Sequence, residues 1–238
     1  MLSDTRTNAG VDNISTFRKL SVWQEPGERV LALQTSGNLA VSQAVIHQLS
    51  EGVELDGNRA TLLSAPSVFE AARVVGAAIR EVHRVDSAAL AAHDTAFAVA
   101  FLLGGQIRGG PPALYHIYTA GNFIAATPDT PFFQIGEHKY GKPILDRAAR
   151  FTTPLRGAIK LAMISMDSTL RSNLSVGLPI DLFAYRADSF IVGVQHRFGE
   201  DDPYFTELRQ RWSEALRNAY ATLPDPNLGM FASGAETS

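Results

Sequence analysis

"TAFAVAFLLGGQI" (residues 95–107) is an almost unbroken apolar run closed by Gly104-Gly105. Such a run is consistent with a strand buried on both faces. Strand-like segments follow it. "PPALYHIYTAG" (111–121) alternates into a turn, "NFIAATP" (122–128) resumes, and "TPFFQIG" (130–136) adds a further short strand. Together they read as a β-meander with Gly-Gly-Pro-Pro and Ala-Gly-Asn turns.

On either side of this block, helical periodicity comes in pairs. Before it, "NLAVSQAVIHQLSEG" (38–52) carries one apolar stripe and stops at Gly52, and Ser67 with Glu70 makes a capping box for 67–84. The segment between them, 53–66, reads as a loop. After the meander come a helix over 138–151 and another over 153–174. In the second, Thr153 is the expected cap, Pro154 the first helical residue, and Met163 and Met166 part of the buried stripe. The front of the chain reads as strands, "TFRKLSVW" (16–23) and "VLALQTSG" (30–37), around a Pro-Gly turn. A hairpin over 178–198 and a helix from Asp202-Pro203 complete the order, with Phe205, Leu208, Trp212, Leu216, Ala219 and Leu223 on that helix's expected buried side. Helices paired between blocks of strands predict antiparallel sheets with helices outside: an α+β, four-layer α-β-β-α sandwich. The expected organisation is one domain over 1–224 and a flexible tail over 225–238.

Composition narrows the function classes. The chain has 238 residues, no cysteine and a net charge of −3. Disulfides and thiolate metal sites are therefore excluded, and nothing electrostatic favours nucleic acid or an anionic membrane. No apolar run approaches the ~18 residues of a membrane span, and the start has no signal-peptide pattern. The expected setting is cytoplasmic. His47, His83, His93, His116, His138 and His196 lack metal-ligand spacing, with His47 and His83 read as exposed helix residues. "GGQIRGGPP" (104–112) has phosphate-loop glycines without the Gly-Lys-Ser/Thr ending, so it reads as a hairpin turn. No cofactor and no metal is expected.

Three long stretches carry more than composition does: "SDTRTNAGVDNISTFRK" (3–19), "ATPDTPFFQIGEHKYGKPILDRA" (126–148) and "DSTLRSNLSVGLPIDL" (167–182). They resemble the bacterial proteasome-type peptidases of the Anbu (ancestral beta subunit) family, within the N-terminal-nucleophile hydrolases, and the likeness runs from Leu2 to about Pro224. The resemblance implies a sandwich fold and a threonine-type peptidase subunit that cleaves peptide bonds in protein catabolism. In that chemistry a threonine hydroxyl at the chain start attacks the peptide carbonyl, and its own α-amine serves as general base. By resemblance Lys19 is the ammonium that favours ionisation of the hydroxyl, and Asp4 is its carboxylate partner. Gly37 matches the residue whose N–H stabilises the oxyanion. Ser175 matches a serine close to the threonine amine.

Two departures from the pattern stand out. Ser172 occupies the place of a family aspartate, with Asn173 and Asp167 as candidates to compensate. The family's first strand and its threonine are expected upstream of Asp4, which would make Met1 an internal methionine. The implied partners are a peptide or unfolded protein and further copies of the chain, in a ring or a spiral. The resemblance specifies no ATPase partner. The second reading is a catalytically inactive structural subunit of a proteasome-like assembly.

Overall fold

The computed structural model of the chain describes residues 1–8 and 14–226. By backbone proximity the chain divides into two compact units, Met1–Asp202 and Pro203–Ser238. In the first unit, strand β1 (Leu2–Asp4) leads into a small hairpin of β2 (Arg6–Asn8) and β3 (Ile14–Thr16). Then come β4 (Leu20–Glu25), β5 (Arg29–Gly37) and helix α1 (Leu39–Glu51). A second small hairpin of β6 (Val53–Leu55) and β7 (Asn58–Ala60) precedes α2 (Val68–Ala92). It is followed by β8 (Val99–Ile107), β9 (Ala113–Ile117), β10 (Phe123–Ala125), α3 (Lys142–Ala148), α4 (Leu155–Ser172), β11 (Ile180–Ala184) and β12 (Val194–Phe198). The second unit holds α5 (Pro203–Ala221).

Two sheets form the middle layers. One is antiparallel and five-stranded, in the order β10-β9-β8-β5-β4. The other is three-stranded, in the order β1-β11-β12. Side chains alternate along β5, which lies inside the larger sheet. Leu31 and Leu33 join the large core with Val41, Val45 and Leu49 of α1 and Val75, Ile79 and Val82 of α2. Val30 and Ala32 point the other way and pack with Leu20 and with Phe183 of the smaller sheet. The α-β-β-α sandwich expected from the order of elements is the fold of the chain. The meander is present as β8-β9-β10, with Phe101 and Leu103 fully buried.

Four local expectations are corrected. Residues 53–60 are a hairpin rather than a loop, because Asp56 (φ 52°) and Gly57 (φ 78°) close a two-residue turn. Gly104-Gly105 does not end its strand. β8 runs on to Ile107, and Gly105 is required inside it because a Cβ there would stand 2.0 Å from the Val30 carbonyl oxygen. Residues 130–136 are not a strand; the one bridge nearby joins Thr127 and Thr130. Pro154, not Thr153, is the capping residue of α4, and Thr153 Oγ1 instead accepts from Arg150 N at 2.9 Å.

In α5 the expected apolar side is only partly buried. Phe205 is buried, but Leu216 is 50% and Leu223 68% exposed. The Ser67 cap holds, its oxygen accepting from Glu70 N at 3.1 Å. Most of the expected tail, from residue 227 on, lies outside the described residues. Among the described residues no helix is long and apolar enough to cross a membrane, and no group of three or more His, Cys, Asp or Glu could hold a metal ion.

Candidate active site

β1 ends on Asp4, opposite Ile180 of β11, and this pairing fixes where the Asp4 carboxylate stands. Lys19 lies just before β4, where its carbonyl accepts from Thr35 N at 2.9 Å and ties it to β5. The two side chains meet: Lys19 Nζ donates to Asp4 Oδ1 at 2.7 Å. The other carboxylate oxygen accepts from Arg6 N at 3.1 Å and Gly177 N at 3.3 Å. With 11% of the Asp4 side chain and 22% of the Lys19 side chain exposed, the pair is screened less than a surface ion pair. Both oxygens of Asp4 are thus occupied, and the ammonium is held in one place.

Gly37 closes β5 at φ +103°, and a Cβ there would sit 2.1 Å from Ala98 O, so only glycine fits. The chain turns at once into α1. Asn38 caps that helix, its Oδ1 accepting from Ala40 N at 3.0 Å and Val41 N at 3.3 Å. Behind the turn, Thr35 Oγ1 donates to Ser42 Oγ at 2.7 Å.

Asp4, Lys19, Gly37 and Ser175 all line one cavity of about 620 Å³, bounded by β1, the end of β5, the segment 131–137 and α4. Ser175 is exposed on its rim, with its N–H donating to Asn173 Oδ1 at 2.7 Å. Ser172, the last residue of α4, is exposed and lies off the cavity. Asn173 Nδ2 donates to Glu137 Oε2 at 2.8 Å, and Asp167 is buried in α4 with Arg171 at 3.6 Å. The amide of Lys139, assisted by Asn173, holds the Glu137 carboxyl below its usual value.

Several further groups line this cavity. Gln34, 5% exposed, shares the inner face of β5 with Val30 and Ala32, and its Nε2 has no hydrogen-bond partner among the described residues. The same holds for Ser3 Oγ, Thr7 Oγ1 and Gln134 Oε1, which line the same cavity. A polar residue at an inward position of an apolar strand, as in "VLALQTSG", is the signal that marks Gln34 from sequence.

Comparison with protein-family models and with curated proteins finds no match. Solved structures do match. The Anbu (ancestral beta-subunit) of Yersinia bercovieri is 52% identical, covers 96% of this chain and 94% of its own, and superposes with a TM-score of 0.88. A helical assembly of the Anbu complex from Pseudomonas aeruginosa gives 53% identity, the same coverages and a TM-score of 0.89. Anbu from Hyphomicrobium sp. strain MC1 gives 51% identity over 95% of this chain and 94% of that one, with a TM-score of 0.87. The Asp4–Lys19 pair, the glycine turn and the sandwich that positions them thus belong to a chain that is a member of the Anbu, or ancestral beta-subunit, family.

Proposed function

We propose that the cavity is a peptide-cleaving site of the threonine type, working in a proteasome-like assembly of copies of this chain in the cytoplasm. The observation that carries the reading is the Lys19–Asp4 pair, 2.7 Å apart on a cavity that Gly37 and Ser175 share. The nucleophile is the hydroxyl of an N-terminal threonine on a strand next to β1. Its proton passes to the threonine's own α-amine, whose unperturbed pKa near 8 suits neutral pH. The Lys19 ammonium lowers the energy of the alkoxide, and Asp4 keeps Lys19 charged and oriented. The N–H of Gly37 stabilises the tetrahedral oxyanion, and the protonated amine then delivers its proton to the leaving amine. Substrates are peptides or unfolded proteins, and no cofactor is used. The helical assembly of the Pseudomonas relative supports a spiral or ring of copies.

The second reading, a structural subunit without activity, draws on one observation. Thr5 is fully buried with Oγ1 donating to Pro179 O at 2.7 Å, and Thr7 Oγ1 is also buried, so neither offers its hydroxyl to a substrate.

The test is made on protein purified from its native host. N-terminal sequencing and intact mass are expected to show a chain that begins with threonine. In that protein Lys19→Ala is expected to lower peptide turnover by at least ~10²-fold, the lower range for losing a group that stabilises developing negative charge, with assembly size unchanged. Unchanged turnover in the variant overturns the mechanism. A chain that begins at Met1 and cleaves nothing selects the structural reading.

A further inference from the structure

The charged side chains on the cavity are Asp4, Arg6, Lys19 and Glu137, and contacts among them account for only two. Asp4 is committed to Lys19 through one oxygen and to the amides of Arg6 and Gly177 through the other. Arg6 turns to the loop after α4, where its Nη1 donates to Leu174 O at 2.9 Å. Glu137 is the carboxylate on this cavity that no described cation pairs with.

Glu137 is nonetheless held in place. It is half-buried, and each oxygen accepts from a neutral donor: Oε1 from Lys139 N and Oε2 from Asn173 Nδ2, both at 2.8 Å. Asn173 in turn accepts from Ser175 N at 2.7 Å, so Glu137 is tied to the rim of the cavity from two elements. The Lys139 amide, then Asn173 and the Lys139 charge, hold the carboxyl below its usual range, so Glu137 is an anion at neutral pH. A fixed anion on a cavity wall favours the charged form of any amine that comes beside it.

We infer that Glu137 is a positioning residue whose carboxylate is the counter-charge for the α-ammonium formed in this cavity when the threonine hydroxyl gives up its proton. The inference rests on the proposed peptide-cleaving function and adds a residue to its machinery. In that reaction the proton passes from the hydroxyl to the α-amine and later to the leaving amine, so an ammonium exists between the two transfers. Lys19 opposes that ammonium as a like charge, and both oxygens of Asp4 already have partners. Glu137 is the remaining carboxylate on the cavity. Its two donors are neutral, so its charge is still available, as it would not be beside an arginine. A charge-assisted N–H···O bond to it also fixes the direction in which the amine faces the hydroxyl.

The test uses the assembled protein from its native host, with a fluorogenic peptide for turnover and the pH dependence of acetylation by acetic anhydride for the amine. In the unmutated protein the amine is expected to titrate near 8 or above, because Glu137 offsets Lys19 and burial. A value below about 7 overturns the inference without any variant. Glu137→Gln removes the charge at nearly constant shape, and without the anion the ammonium is less favourable. The amine's pKa and the acidic limb of kcat/KM are therefore both expected to move about one unit to lower pH. Glu137→Asp keeps the charge and is expected to leave both in place. Lys139 and His138 beside Glu137, and Asp4, Arg6 and Lys19 on the cavity, are the same in both variants. A Glu137→Gln protein that is slower with neither value moved, or a Glu137→Asp protein shifted equally far, shows a structural role alone and overturns the inference. Turnover that Lys19→Ala removes then leaves the peptide site standing. A chain without an N-terminal threonine, or without such turnover, defeats the peptide-cleaving reading and this inference with it.

Discussion

The two faces of the five-stranded sheet are built to different ends. On the outer face Leu31 and Leu33 of β5 and Phe101 and Leu103 of β8 are buried under α1 and α2, in one continuous apolar core. On the inner face the buried apolar cluster is small, with Leu20, Val30, Ala32 and Phe183 at its centre. Further along the same face, Gln34 takes the place that an apolar residue would fill, and the strand opens onto the 620 Å³ cavity with its ion pair. Packing density on one side supplies the stability that lets the other side carry unpartnered polar atoms and a charged pair.

That contrast can be broken or sharpened by substitution. The largest effect is expected from Phe101→Ala on the outer face, about 3–5 kcal/mol of lost stability by thermal or urea unfolding, because the void cannot collapse. A loss below about 1 kcal/mol would mean that the outer core is not what holds the sheet. Next comes Gly37→Ala, where the backbone must leave φ +103° or push against Ala98 O. A loss of about 1–3 kcal/mol is expected, with peptide turnover falling alongside. If stability stays within about 0.5 kcal/mol, the turn has another geometry.

A change of opposite sign is expected from Gln34→Leu. Replacing a buried, unpartnered donor with an apolar side chain of similar volume is expected to stabilise the fold by up to about 1 kcal/mol while impairing the site. Clear destabilisation would show that Gln34 has a structural partner.

The smallest effect concerns His116, which packs on the rings of Tyr118 and Phe133 and whose pKa is lowered by burial. Above the ordinary histidine value of about 6.5, both folded and unfolded states are neutral there. As the pH falls below it, the unfolded chain takes up the proton first, so stability declines until the lower folded-state pKa is passed. His116→Phe is expected to flatten that part of the stability–pH curve, and an unaltered slope would assign it to another group.

Much of the site is legible in the chain through the likeness of its stretches to the Anbu family, since an acid and a base fifteen residues apart carry no role by themselves. Asp4 ends β1, Lys19 lies in the lead-in to β4, and Gly37 sits where an apolar strand meets a capped helix. Of the three, only Gly37 has a local signal, as a turn residue between strand and helix; Asp4 and Lys19 are marked by the likeness to the Anbu family. The wall of the cavity is not legible in this way. "TPFFQIG" has the composition of a strand, and nothing in those seven residues tells whether a neighbouring strand will be there to pair with them. Strand pairing is a property of two segments, and β10 ends at Ala125 without one for it. Ser172 illustrates the same limit: its sequence neighbourhood matches the site, but the end of α4 turns it away from the cavity.

The sequence by itself thus determined most of the larger elements, their order and the α-β-β-α layering, while the acid, base and glycine at the front were marked only by the likeness of their stretches to the Anbu family. The elements and their layering follow from hydrophobic period, caps and turns, all read within a few residues. Only the tertiary structure decided that Asp4 and Lys19 stand 2.7 Å apart, that Gln34, Gln134, Ser3 and Thr7 turn buried polar atoms into one cavity wall, and that 132–135 is left unpaired. The physical reason is distance along the chain. The cavity is assembled from β1, β5, the segment before α3, and α4, and their meeting is set by the packing of two sheets rather than by any local preference.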